Sequence, residues 1–344
     1  MSGQIPIKNI YYMLCYAWDR LKEKDIISID KIKGNNLLDL FARVLISGLN
    51  YLIKRGLDRR YLSVNEDSSF IRGKINLNDS MKKLVWLNAK MSCDYDDLSY
   101  NILHNQIIKS TLEMLINCKE LSRDLKDALL SLYRYFRYFD TVKLSRKIFG
   151  YIRINRNNQY YEFVLKICEV IFENLLVDEN TGETKFREFD REPKQMAYLF
   201  ENFVRNFYRR ELKGYKVTRE NIKWDVDEGF NDYLPLMQTD ISIESNLKKI
   251  IIDTKFYKEA FTYHMNSKKL HSNNLYQLFA YLKNIEVEGG LNIKAEGMLL
   301  YPMIDQQIDY DYGIQGHKIK IRTVDLNQEW QTIYNRLIDI VVER

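Results

Sequence analysis

The sequence has 344 residues, 46% hydrophobic and 29% charged, with a net charge of +5. That length predicts two or three domains with ordinary globular cores. Only 14 Gly and 4 Pro exclude collagen-like and Pro-rich low-complexity chains, and no apolar run reaches the roughly 18 residues of a membrane helix.

From the N-terminus, residues 5–18 place Ile10, Tyr11, Leu14 and Trp18 at helical spacing, as core or as an interface. The opening residues lack a basic leader, an apolar stretch and a cleavage site, so a cytoplasmic protein is expected. Residues 35–54 form a second helix, with Asn35 or Asn36 as its cap. Segments 60–65, 69–77 and 88–95 read as short strands, and Gly73 within them suggests a bulge or a close backbone approach. Helical periodicity returns at 101–117, 122–139 and 159–176. The turn-prone stretch 178–193 marks the boundary between a domain at 1–177 and one at 178–344.

The second half is mixed α/β. A helix is expected at 195–212 and a strand at 215–225. Strands at 236–244 and 248–255 turn around Ser245 and Asn246, and a helix follows at 272–284. Strands at 296–301 and 317–325 and a helix at 327–342 close the chain. The four widely spaced cysteines include no CxxC pair, and the four histidines show no zinc-ligand spacing, so buried reduced thiols are expected. No GxxxxGK[ST] and no GxGxxG is present, so any nucleoside triphosphate chemistry belongs to another chain. The 25 tyrosines and the mildly basic balance fit nucleic-acid binding, but also core packing and compositional bias.

The chemistry lies in Asp240, then twelve residues, then Asp253-Thr254-Lys255. Alternation along a strand points Asp253 and Lys255 the same way, and Ile250 to Ile252 before them imply a strand buried on both faces. A hairpin of this length returns Asp253 close to Asp240. Two carboxylates so close repel, and a hard divalent cation such as Mg²⁺ removes the conflict. The lysine can orient a water and stabilise charge on a phosphoryl oxygen. An ordinary Asp–Lys ion pair at a strand end is the plainer alternative. On the next helix, Asn273 and Asn274, Gln277 and Tyr281 form a polar stripe, either solvated or holding a DNA phosphate or the lysine, with Leu275, Leu278, Phe279 and Leu282 on the core side. Glu201, among Leu199, Phe200, Phe203 and Val204, either edges out to solvent or meets the metal.

These residues resemble a PD-(D/E)xK nuclease core of the RecB-like type, with Thr239 in the place of the eponymous proline and Pro235 a few residues too early. The whole chain is similar to the McrC family, the nuclease subunit of the McrBC modification-dependent restriction system. The resemblance rests on IPIKNIYYMLCYAW at 5–18, GNNLLDLFARVL at 34–45, CDYDDLSYNILHNQIIKSTL at 93–112 and HSNNLYQLFAYL at 271–282. It implies a mostly helical N-terminal domain with a small β-rich patch, acting as a stalk in the pore of a hexameric McrB-like AAA+ GTPase and stimulating GTP hydrolysis. It implies a C-terminal restriction-endonuclease-like α/β domain that cuts double-stranded methylated DNA with Mg²⁺, while the partner uses the GTP. Asp240, Asp253 and Lys255 match the family's catalytic positions, Asp240, Asp253 and Thr254 its metal positions, and Gln277 and Tyr281 its bracing positions. Glu201 is a looser match. Two other functions remain open: an assembly and GTPase-activating subunit whose nuclease is secondary, and a stand-alone RecB-like DNA nuclease.

Overall fold

The computed structural model describes residues 5–17, 37–154, 158–177, 184–186, 193–228, 233–256, 261–264, 267–303 and 306–342. Trp18, the candidate caps Asn35 and Asn36, and most of 178–193 lie outside the described residues. The chain separates into two units, Asn36–Arg187, and Met1–Asn35 together with Glu188–Arg344. The division expected from sequence, 1–177 and 178–344, is thereby corrected at its first end. Helix α1 (Ile7–Ala17) belongs with the C-terminal half.

The reason is a set of long-range hydrogen bonds. Asn9 Nδ2, buried, donates to the carbonyls of Leu326 (2.7 Å) and Gln328 (2.9 Å). A helix C-terminus leaves carbonyls without intrahelical donors. For α1, Asn206 Nδ2 supplies the donor, reaching the carbonyls of Tyr16 (3.1 Å) and Ala17 (2.9 Å). Ile10, Tyr11, Met13 and Leu14 are buried, so this segment is core.

In the unit 36–187, helix α2 (Leu37–Arg55) buries Leu38, Phe41, Leu45, Leu49 and Leu52 along one stripe. Three strands follow, β1 (Arg60–Ser68), β2 (Lys74–Ile75) and β3 (Met91–Ser99), in an antiparallel sheet of order β1-β3-β2. The strand expected at 69–77 shrinks to β2. Asn76 accepts the Asp79 amide on its side chain and so starts a short helix, α3 (Leu77–Lys82). Gly73 lies at φ +63°, and a Cβ there would fall 2.4 Å from the Asp94 carbonyl oxygen, the close backbone approach that a strand glycine implies. A 3₁₀ helix, Val85–Asn88, is bracketed by Leu84 and Ala89, both left-handed at φ 52° and 53°.

Helices α4 (Leu103–Asn117), α5 (Arg123–Tyr133), α6 (Arg146–Gly150) and α7 (Gln159–Asn174) complete the bundle, with a short ribbon of β4 (Leu175–Val177) and β5 (Thr184–Phe186). Helix α5 stops short of the expected 139, because residues 134–138 form turns. A polar joint ties the loop before β1 to helices α4 and α7. Tyr161 Oη accepts the Asp58 amide at 2.8 Å and donates to Asn105 Oδ1 at 2.9 Å.

In the other unit, α8 (Pro193–Glu211) precedes β6 (Lys216–Thr218), β7 (Asn221–Ile222), β8 (Met237–Gln238), β9 (Ile241–Glu244) and β10 (Lys249–Thr254). A ribbon of β11 (Phe261–His264) and β12 (Ser267–Leu270) leads to α9 (Ser272–Glu286). Strands β13 (Glu296–Pro302), β14 (Asp309–Ile314) and β15 (His317–Val324) and helix α10 (Trp330–Val342) follow. The six-stranded sheet has the order β14-β15-β13-β10-β9-β6. Its centre is parallel (β10, β13 and β15), and its flanks are antiparallel. The fold is thus mixed, helices around a mixed sheet. Strand β14 was not expected, and the strand expected at 215–225 is two, β6 and β7.

Every residue of β10 is buried. Ile251 packs with Leu278, Leu282, Ile285, Leu299, Ile319 and Ile321 beneath α9. Ile250 and Ile252 face the opposite side, and helices α8 and α10 pack on that unit's strands. Burying one such side chain stabilises by roughly 1.5–3 kcal/mol. Gly297 lets α9 settle on the sheet, since a Cβ there would lie 2.8 Å from Leu282 Cδ1. All four cysteines are buried thiols without disulfides. Among the described residues no helix is long and apolar enough to cross a membrane.

Candidate active site

The hairpin β9–β10 places its chemistry at one end. Its turn closes through the Ser245 amide, which donates to the Lys248 carbonyl at 2.9 Å. The register pairs Ile241 with Ile252, so Asp240 and Asp253 are the next residues on each strand. The strand expected at 236–244 is broken between β8 and β9. Thr239 leaves the ladder there, and its Oγ accepts the Glu220 amide at 3.0 Å. That break turns Asp240 toward β10. Asp240 Oδ2 accepts from the Thr254 amide at 2.8 Å and from the Thr254 hydroxyl at 3.0 Å.

Asp253 has no exposed surface. Its Oδ1 accepts from Lys255 Nζ at 3.1 Å. Oδ2 lies 2.9 Å from the same ammonium but is buried without a hydrogen-bond donor. Burial pushes the Asp253 carboxyl up from 3.8 to about 7. The charges of Asp240 and Glu201 push the same way, and Lys255 opposes them.

Lys255 Nζ also donates to Gln277 Oε1 at 3.1 Å. Gln277 Nε2 donates to Tyr281 Oη at 2.8 Å, and that hydroxyl donates to the Gln238 carbonyl at 3.1 Å. The relay fixes which end of the Gln277 amide faces the lysine. Asn274 is not part of it. This residue is buried and donates to Tyr301 Oη at 3.2 Å. Glu201 sits on α8, half-buried, with Oε1 accepting from Arg205 Nη1 at 2.8 Å.

The structure therefore brings Asp240, Asp253, Thr254, Lys255, Gln277 and Tyr281 into one connected set, and Glu201 close enough for its charge to reach Asp253. Two participants were not expected from sequence. The Gln238 carbonyl carries no side-chain signal. Arg205 does, since it stands four residues after Glu201 on one helix face.

Among the described residues no three His, Cys, Asp or Glu side chains gather as a metal cluster. The acid pair still suits Mg²⁺, which is commonly bound through one or two carboxylates and several waters. A buried carboxylate with an oxygen lacking a donor, pushed up by burial and further by a second acid, is the conflict that a divalent cation resolves.

The raised carboxyl has a sign that can be measured. Asp253 binds its proton more tightly folded than unfolded, so its contribution to stability is full below about pH 4 and is lost as pH rises through about 7. With EDTA present, Asp253→Asn should therefore gain melting temperature over the unsubstituted chain between about pH 5 and pH 8, by the equivalent of a few kcal/mol. Thermal melts at both pH values check it, and a constant difference would contradict a buried, ionising Asp253.

A model of the family described as "McrBC 5-methylcytosine restriction system component" matches residues 7–302. The chain is 39% identical over 343 residues to a protein of Escherichia coli (strain K12), "Type IV methyl-directed restriction enzyme EcoKMcrBC", covering 98% of both. It also superposes, with TM-score 0.62 and 16% identity, on a chain from a tetradecameric assembly of Thermococcus gammatolerans McrB AAA+ hexamers with bound McrC, covering 98% of this chain and 76% of that one.

Proposed function

Since the chain belongs to the family of McrBC 5-methylcytosine restriction system components, we propose that it is the subunit of such a system that hydrolyses DNA phosphodiester bonds. The supporting observation is the convergence of Asp240, Asp253 and Lys255 at one end of β9 and β10, with Lys255 held from α9. Strands β9, β10 and β13 with helices α8 and α9 suit a PD-(D/E)xK core.

In this reading Asp240 and Asp253, with Thr254 next after Asp253, would hold Mg²⁺, and the Thr254 amide and hydroxyl steady Asp240. The cation, when bound, acidifies a water and neutralises charge on the phosphoryl group. Lys255 keeps its ammonium at the rim of Asp253, where it orients water and stabilises charge growing on a phosphoryl oxygen. Gln277 and Tyr281 hold the lysine at that station.

The partner is an AAA+ GTPase hexamer, in keeping with the solved assembly that this fold resembles and with the absence of a GxxxxGK[ST] motif here. The unit 36–187 is the docking part and stimulates the partner's GTP turnover. It carries a run of exposed apolar side chains, Phe70 (81% exposed), Ile71 (69%), Leu77, Met81, Trp86 and Leu87 (72%), around the strained 3₁₀ helix. The nuclease and the GTPase-activating roles then belong to different units of one chain.

Incubating the chain with methylated or unmethylated plasmid and Mg²⁺, with and without the partner and GTP, tests the proposal. Cutting of methylated plasmid alone, and only with partner and GTP together, is the expected result. Robust cutting by the isolated chain favours a stand-alone nuclease. GTPase stimulation without cutting favours a mainly regulatory subunit.

A further inference from the structure

Glu201 is held by more than one arginine. Arg205 Nη1 donates to its Oε1 at 2.8 Å, and Arg219 Nη2 lies 3.3 Å from the same oxygen. Arg205 also donates to the carbonyl of Asp240 at 3.4 Å, and its other terminal nitrogen to Asn202 Oδ1. Arg205 therefore stands against the backbone of the residue that supplies the first acid, with Arg219 on the same Glu201 oxygen.

Stability does not account for the arrangement. Partly exposed ion pairs add roughly 0–1 kcal/mol, and two guanidinium groups on one carboxylate leave a net positive charge. The neighbouring acid, Glu220, does not relieve it, because Lys249 occupies Glu220 at 2.8 Å. Any phosphodiester approaching this site meets two carboxylates that repel it. A guanidinium fork is the side-chain group that best matches phosphate oxygens.

We infer that Arg205 and Arg219 form the receiving pair for a DNA backbone phosphate, with Glu201 holding their place until DNA enters. This rests on the nuclease reading above. The entering phosphate takes over donors already grouped for an anion, so the exchange needs little rearrangement of the arginines. Arg219, with its side chain 45% exposed, is the more accessible of the two.

The test uses the full chain, a short fluorescent duplex, and Ca²⁺ in place of Mg²⁺ to prevent cutting. Anisotropy is followed across a salt series. Arg219→Ala, and the double variant with Arg205→Ala, should weaken binding about tenfold or more and reduce the slope of log affinity against log salt by about one per phosphate no longer neutralised. Arg219→Lys should restore the slope, with less of the affinity. Glu201→Gln, which removes the competing charge, should tighten binding several-fold. A purely structural role would lower the melting temperature and leave the salt slope unchanged.

If Arg205→Ala does not fold, Arg219→Ala decides alone. Unchanged affinity and slope in Arg219→Ala, or weaker binding by Glu201→Gln, overturns the inference while leaving the nuclease reading in place. A chain that binds no duplex even at low salt also overturns the inference, while the nuclease reading is decided by cutting in the assembled complex.

Discussion

Replacing Asp253 with alanine should lower DNA cleavage by the assembled complex by roughly three powers of ten or more, because on the proposed reading it removes one of the two carboxylates that would hold the metal, and several kcal/mol of transition-state stabilisation go with it. The same variant should fold. Its buried carboxyl is a burden to the metal-free protein, held up near 7 by burial and by neighbouring acids. Removing it should leave the melting temperature at pH 8 equal or higher, even though Lys255 then has no carboxylate at position 253 to pair with. Partner association and GTP turnover should stay within about twofold, since Asp253 lies outside the unit 36–187. Plasmid cleavage, thermal melts and GTP hydrolysis on one preparation separate these effects. Undiminished cutting would refute the site assignment, and a collapsed melting temperature would refute the account of Asp253 as a tolerated strain.

The second large effect is expected in the other unit. The triple change Phe70→Ser, Ile71→Ser and Leu87→Ser should reduce stimulation of the partner's GTPase by about tenfold or more. Apolar anchors at the centre of an interface commonly carry about 2 kcal/mol or more each. The three side chains are 69% exposed or more, so their removal should change stability by less than about 1 kcal/mol. Gel filtration with the partner and steady-state GTP turnover measure the outcome. Full stimulation with undiminished association would move the docking surface elsewhere.

The elements that sequence reading found carry their information locally. Helices α2, α8 and α9 repeat apolar residues at one face, and β10 follows from three consecutive isoleucines. Strand β14 escaped although Tyr310, Tyr312 and Ile314 alternate along it, because Asp309, Asp311 and Gly313 are residues depleted in strands and the edge is mostly exposed. The segment 69–77 was misjudged because apolar content outweighed the Asn76–Asp79 cap. The affiliation of α1 could not be read at all. Its partners, Asn206 and the carbonyls of Leu326 and Gln328, lie far along the chain. At the site, Asp240, Asp253 and Lys255 were recognisable because a two-residue alternation and a hairpin length determine where they point. The arginines around Glu201 were missed through reading one residue of an i, i+4 pair without the other.

The placement of α1 has a consequence for biosynthesis. Asn9 is translated early, yet the carbonyl it bonds at Leu326 emerges 317 residues later. At about 5–20 residues per second, Asn9 waits tens of seconds for that acceptor, and the apolar stripe of α1 stays uncovered until α8 is made. The unit 36–187 can meanwhile close on the ribosome from contiguous chain. A nascent chain that stalls or is truncated before α8 leaves α1 without its cover, and one that stops short of residue 326 leaves Asn9 without its acceptors, either one a natural target for chaperones and for proteases.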